Sequence, residues 1–180
     1  LKKLADLKES GCRIVFIAGN HDFWFGDFLT DFLQMEVHQE YFSEILNGKK
    51  YFFAHGDRYT TNDWRYQVFR TIIRSRIVMK IFELFHPDVA LNIGKKLSRS
   101  SRFKKIPHKL QRLREIGLEN SARKKLERFD VVVFGHSHLP KMKKFENGIY
   151  LNSGDWLIHN SYIRSLNGDL QICYYDENGK

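Results

Sequence analysis

Asp130-Val131-Val132-Val133-Phe134-Gly135-His136-Ser137-His138 is the stretch that decides how this chain is read. Val131 to Phe134 form an unbroken apolar run of strand length. A run without polar alternation marks a strand covered on both faces. It empties into a glycine and two histidines. The same arrangement occurs twice upstream: Arg13-Ile14-Val15-Phe16-Ile17-Ala18 leads into Gly19-Asn20-His21-Asp22, and Lys50-Tyr51-Phe52-Phe53-Ala54 leads into His55-Gly56-Asp57. Three apolar strands thus each deliver a polar, histidine-bearing loop at their C-terminal ends. In layered α/β folds that is the edge where ligands bind.

Outward from these strands the pattern changes twice. Leu1, Leu4 and Leu7 have helical spacing, and Gly11 stops that helix. The chain opens on Leu1-Lys2-Lys3-Leu4 as if in mid-helix and without an initiator Met, so the opening reads as a cut edge rather than a natural start. Between the second and third strands, Val68, Ile72, Ile73, Ile77, Ile81 and Leu84 keep helical periodicity. His86-Pro87 should end that helix. Further helices are expected over Asp88–Leu97 and Leu110–Leu126, with the polar, basic joint Ser98 to Lys105 between them. After the third strand, Asn147-Gly148 and Asn167-Gly168 are hairpin signals, and the C-terminal third is expected to be sheet. The expected organisation is an α/β core of residues 1–62 and 129–180, with a basic helical cap inserted over 63–128.

The bulk composition is compatible with that reading. At 180 residues, 42 % hydrophobic and 14 % aromatic, the chain can build the core of one ordinary domain. No stretch approaches the roughly 20 apolar residues that cross a bilayer. The net charge of +9 is concentrated: residues 63–127 hold 17 Lys and Arg against six Asp and Glu, a net of +11, which leaves −2 for the rest. An anionic partner is expected at that segment. Cys12 and Cys173 lie in apolar surroundings and are expected to be buried free thiols of a reducing compartment. No CxxC pair marks a zinc site.

The residues at the three strand ends suit one chemistry. Hydrolysing a phosphate ester near neutral pH needs an activated water and neutralisation of charge on phosphorus. Two metal ions about 3.5–4 Å apart supply both. Such a site is built from imidazole nitrogens and amide or carboxylate oxygens drawn from several loops. Asn20, His55, His136 and His138 are that set. In an extended loop His136 and His138 point to different sides, so one imidazole can serve each ion. A lone histidine is more often a surface or satisfied core residue, and His38, His86 and His108 are read that way.

Gly19-Asn20-His21-Asp22, His55 and Gly135-His136-Ser137-His138, in this order, resemble the calcineurin-like metallophosphoesterase superfamily. The resemblance implies a layered β-sandwich flanked by helices (αββα). It also implies that Asn20, His55 and His136 bind one metal and that His138 contributes to the other. His21 would sit beside the phosphate, where an imidazole can stabilise charge or protonate the leaving oxygen, and Asp22 would orient it. The superfamily's earlier Asp-x-His and Gly-Asp elements, which carry the remaining ligands, have no counterpart here. They would precede Leu1 together with further strands of the core.

Arg58-Tyr59-Thr60-Thr61-Asn62-Asp63, Tyr66-Gln67, Leu151-Asn152-Ser153-Gly154-Asp155-Trp156 and Phe23-Trp24-Phe25-Gly26 resemble one branch of that superfamily, the UDP-2,3-diacylglucosamine diphosphatases of lipid A biosynthesis. The resemblance implies cleavage of UDP-2,3-diacylglucosamine to UMP and 2,3-diacylglucosamine 1-phosphate with two divalent ions, Mn²⁺ being expected. It implies a cytoplasmic protein, peripheral on the inner membrane, with a lipid-nucleotide substrate and no nucleic-acid partner. Asp63, Ser100, Ser101, Arg102, Lys104 and Lys105 would contact substrate, and Val68, Ile72, Ile77, Met79, Phe82 and Phe85 could line an acyl groove. The alternatives are that the apolar stripe is helix packing, Asp63 a helix cap and Asp155-Trp156 a structural corner. A phosphoesterase for another ester, or a non-catalytic scaffold, are the rival functions.

Overall fold

The computed structural model describes residues 1–20, 27–60, 64–86, 88–89, 92, 95 and 108–176. Helix α1 (Lys2–Glu9) leads to strand β1 (Val15–Ile17), a π-helical turn (Phe28–Phe32) and β2 (Glu36–His38), which pairs in parallel with β1. The strands β3 (Tyr41–Leu46) and β4 (Lys49–Ala54) form a hairpin. Helices α2 (Trp64–Ile73), α3 (Arg76–Glu83) and α4 (His108–Lys125) follow. The chain closes with β5 (Val131–Phe134), β6 (Lys141–Phe145), β7 (Gly148–Asn152), β8 (Ser161–Leu166) and β9 (Asp169–Tyr174).

The central sheet has the order β3-β4-β5-β7-β6. Its middle strands β4, β5 and β7 are parallel, and hairpin partners close both edges antiparallel. Alternate residues point to opposite faces, and both faces are covered. Phe52, Ala54, Val132, Phe134 and Tyr150 pack with Leu118, Ala122 and Leu126 from α4 and its C-terminal end. Tyr51, Val131 and Leu151 pack on the other side, against Ile163 of β8 and Leu170 and Ile172 of β9. Each such large side chain contributes about 1.5–3 kcal/mol on burial. Helix, mixed sheet and two-stranded sheet therefore stack as layers, the reason the strands read as continuous apolar runs.

Leu118, Ala122 and Leu126, in the segment expected among the inserted helices, pack on the core sheet, whereas Leu110 and Leu113 earlier in α4 are exposed. The single helix expected up to Leu84 is two. Ser75 sits in extended backbone (φ −69°, ψ 138°), and its hydroxyl accepts from the Val78 N–H, which starts α3 afresh. The Asn167-Gly168 hairpin has both turn residues at positive φ, 51° and 89°, as the type I′ turn requires. The β3–β4 hairpin turns the same way at Asn47-Gly48. In the β6–β7 hairpin, Phe145 pairs with Gly148, so Glu146-Asn147 occupies the turn and Gly148 begins the strand. Cys12 is exposed and Cys173 half-buried, contrary to the expected burial. Among the described residues no helix is long and apolar enough to cross a membrane.

Glu119 of α4 pins the edge strand β6, pairing with Lys141 and, at 2.5 Å, with Lys143. Burial raises its carboxyl, but the two lysines outweigh that and hold it below the ordinary value. Its stabilisation is thus complete above the ordinary carboxylate range and is lost as pH falls through the lowered folded value. Both lysines are about two-fifths exposed, so Glu119→Gln is expected to cost only about 1 kcal/mol at pH 7. Urea midpoints should show that difference shrinking as pH falls below the ordinary glutamate range.

Candidate metal centre

Three of the histidine-bearing loops begin where β1, β4 and β5 end. The Gly135 N–H donates to His55 O at 3.0 Å, which lays the loop after β5 against the loop after β4. Asn20 comes from a different sheet, yet its Oδ1 lies 2.8 Å from His55 Nε2. His136 Nδ1 lies 3.3 Å from the same nitrogen, with the two rings 5.2 Å apart and nearly perpendicular. Glycine permits this approach. At Gly56, whose φ is +110°, a Cβ would lie 3.2 Å from Leu118 Cδ2 and 3.3 Å from His136 Cβ.

An amide oxygen only accepts, and an imidazole nitrogen carries at most one proton. Asn20 Oδ1 and His136 Nδ1 therefore meet at His55 Nε2 around a single shared proton, or around a cation in its place. Burial is the first cause that depresses His136, with the charge of His55 next, and together they bring it to about 3. Its ring is neutral at physiological pH, the form that ligates metal. The donor set fits a divalent ion. Among the described residues no group of three or more His, Cys, Asp and Glu gathers as a metal cage; the gathering is an asparagine with two imidazoles. His138 instead faces Asp155, Nδ1 to Oδ2 3.8 Å.

The loop holding His136 and His138 is conformationally costly. Both residues have left-handed backbone, φ 64° and 62°, at about 1–3 kcal/mol each for a non-glycine residue. The serine between them is buried and anchored. Ser137 Oγ donates to Glu115 Oε2 at 2.6 Å and accepts from Leu139 N and Asn152 Nδ2. Asn152 Nδ2 also donates to Gly135 O at 2.9 Å, and Tyr150 OH donates to Glu115 Oε1 at 3.0 Å.

Helix α2 grips the other two loops. Arg70 Nε donates to Asp57 Oδ2 at 2.7 Å, with both side chains buried, and Gln67 Nε2 donates to Asp57 O at 2.6 Å. Arg74 Nη2 donates to Gly19 O at 2.7 Å, beside Asn20. Asp155 accepts from the backbone of Leu157, Ile158 and His159 and from the His159 ring. Burial pushes its carboxyl up, but these donors outweigh that and hold it at about 2. Asp155 thus turns the backbone of residues 155–159 on itself, with His138 as an added neighbour.

The expected residues Asn20, His55 and His136 are thus brought together, and His138 is placed on Asp155. His21, Asp22, Asp63, Ser100, Ser101, Arg102, Lys104 and Lys105 lie outside the described residues. Glu115, Asn152 as an anchor, and the Asp57–Arg70 pair were not foreseen. Glu115 did carry a signal: it is a lone carboxylate on the stripe Glu115, Leu118, Ala122, which helical spacing places on one face.

The model of the calcineurin-like phosphoesterase family matches residues 1–140, more than three-quarters of the chain. This chain belongs to that family. Among its relatives, a UDP-2,3-diacylglucosamine hydrolase of Porphyromonas gingivalis (strain ATCC BAA-308 / W83) is 33 % identical over 90 % of this chain and 68 % of that protein. A hydrolase of the same name from Neisseria meningitidis serogroup C (strain 053442) is 28 % identical over 93 % of this chain and 69 % of its own length. One from Histophilus somni (strain 129Pt) is 27 % identical over 86 % and 67 %. The layered, mixed-sheet architecture of this calcineurin-like phosphoesterase, with polar loops at parallel strand ends, accords with the family's fold.

Proposed function

We propose that this calcineurin-like phosphoesterase is a divalent-metal-dependent pyrophosphate hydrolase that converts UDP-2,3-diacylglucosamine to UMP and 2,3-diacylglucosamine 1-phosphate, a step of lipid A biosynthesis. The observation that supports the chemistry is the meeting of Asn20, His55 and His136 from three strand ends within hydrogen-bond distance. The names of the relatives support the substrate.

In this reading Asn20, His55 and His136 hold one divalent ion and His138 contributes to a second, with Mn²⁺ the expected metal. Bound there, the ions supply charge neutralisation and an activated water. The water oxygen bonds to the α-phosphorus while the bond from that phosphorus to the bridging oxygen breaks. The bridging oxygen leaves on the sugar 1-phosphate. His21 stands beside the phosphate to donate a proton or hydrogen bond to that oxygen, and Asp22 orients its ring. Asp63, Ser100, Ser101, Arg102, Lys104 and Lys105 engage the nucleotide and sugar from the inserted basic segment. Of the expected groove residues, Val68, Ile72, Ile77 and Phe85 are exposed and Met79 and Phe82 half-buried, and the exposed ones support an acyl-binding face over simple helix packing. The basic insert suits an anionic cytoplasmic leaflet, and the protein acts there as a peripheral enzyme with no nucleic-acid partner.

The test is the full-length protein incubated with Mn²⁺ and UDP-2,3-diacylglucosamine. UMP release is expected, with no cleavage of single-stranded DNA or an aryl phosphodiester. Cleavage of those esters alone would move the activity to another substrate. A protein that binds no divalent ion by calorimetry would remove the metal-dependent reading altogether.

A further inference from the structure

The strained segment Gly135 to His138 carries both of its histidines in left-handed backbone, and something must hold it there. The residue between them shows what does. A serine hydroxyl has one proton and two acceptor positions. In Ser137 all three are committed: the proton to Glu115, the lone pairs to the Leu139 N–H and Asn152 Nδ2. Its rotamer is fixed, and with it the backbone on either side. Asn152 adds a hold on Gly135 O, and its own Oδ1 accepts from Gly154 N at 3.0 Å.

The hub of these bonds is a carboxylate on a different element. Glu115 of α4 is 3 % exposed, and two hydroxyl donors converge on it, Ser137 Oγ at 2.6 Å and Tyr150 OH at 3.0 Å, with Asn152 Nδ2, whose protons go to Ser137 Oγ and Gly135 O, lying 3.1 Å from the same oxygen as Ser137. A carboxylate only accepts, and no apolar or cationic residue could receive both hydroxyl protons at once. The same helix is locked to the sheet through Leu118 and Ala122, so the hub is rigid. We propose that Glu115 is a positioning residue: by fixing Ser137 and Asn152 it holds the Gly135–His138 loop in the conformation that presents His136 to His55 and His138 to Asp155. Its effect on metal affinity rests on the function proposed above; its effect on the histidine rings does not.

The experiment uses the full-length protein carrying Glu115→Ala or Glu115→Gln and reads two quantities. In the chelated, metal-free protein, imidazole ¹H–¹⁵N spectra are expected to show the His136 and His138 rings shifted by Glu115→Ala, with His38 and His86 unmoved. Mn²⁺ affinity by calorimetry is expected to fall about 10–100-fold, the usual cost of losing support behind a ligand. Glu115→Gln can turn its oxygen to Ser137 and Asn152 and its amide to the Tyr150 hydroxyl. It is expected to keep the wild-type spectrum and an affinity within about threefold, the size of one weakened hydrogen bond. A folded Glu115→Ala protein with unshifted His136 and His138 rings overturns the proposal whatever its affinity. If that variant does not fold, Ser137→Ala removes only the hydroxyl and is read the same way. Wild-type protein that binds no Mn²⁺ would sink the proposed function, while the ring spectra still decide the role of Glu115.

Discussion

His136→Ala is expected to lower UMP release from UDP-2,3-diacylglucosamine on the order of a thousandfold, because removing a single preorganised electrostatic stabiliser already costs about 10²–10³ in turnover. Asn20→Ala should do the same, although Asn20 is only half-buried and its amide oxygen meets one ring nitrogen. The sharper result is the double variant. If Asn20 and His136 serve one ion through the shared meeting point at His55 Nε2, losing either disables the same unit and the double variant falls no further than the worse single one. Residues that act as a unit behave this way, whereas independent contributions multiply. Circular dichroism melts of all three variants should remain cooperative. Turnover within a few fold of wild type in either single variant would remove that residue from the mechanism.

That such a test can be framed from three residues spread over 116 positions reflects what the sequence carries locally. β1, β4 and β5 were legible because a strand covered on both faces has no polar alternation to confuse it with a helix face. The loops were legible because glycine and histidine directly follow the runs. The break at Ser75 was hidden, since apolar residues keep helical spacing across it and only the hydroxyl's bond to Val78 N shows the new start. The β3–β4 hairpin carried an Asn47-Gly48 signal, but β3 is largely exposed and Ser43-Glu44 interrupt its apolar residues, so only its partner β4 stood out as an apolar run. Glu115 was legible as a misfit on a buried stripe, but not its purpose. Its partners Ser137, Tyr150 and Asn152 lie 22, 35 and 37 residues away, and only the stacking of α4 on the sheet brings them within reach.

Arg70→Leu is expected to be the most destabilising of these substitutions, by about 3–5 kcal/mol, the range for breaking a buried ion pair from one side. Asp57 and Arg70 are 5 % and 9 % exposed at the side chain and 2.7 Å apart, so solvent cannot replace the lost guanidinium. Burial pushes the Asp57 carboxyl up, while His55 and Arg70 together outweigh it and hold it below the ordinary value. Without Arg70 that balance tips against the charged form. For a chain of this size the melting temperature should fall by about 6–20 °C. The control is Asp57→Asn with Arg70→Leu, which removes the buried charge as well as its partner and should recover a large part of the loss. A drop below 1 kcal/mol in the single variant, the value of an exposed pair, would mean that the pair does not anchor α2. Arg70 and Gln67 hold the loop after β4, and Arg74, one turn on, holds the loop after β1. Loosening α2 should therefore weaken divalent-ion affinity even where the fold survives, so calorimetry on the surviving folded fraction separates a helix that only packs from one that sets the site.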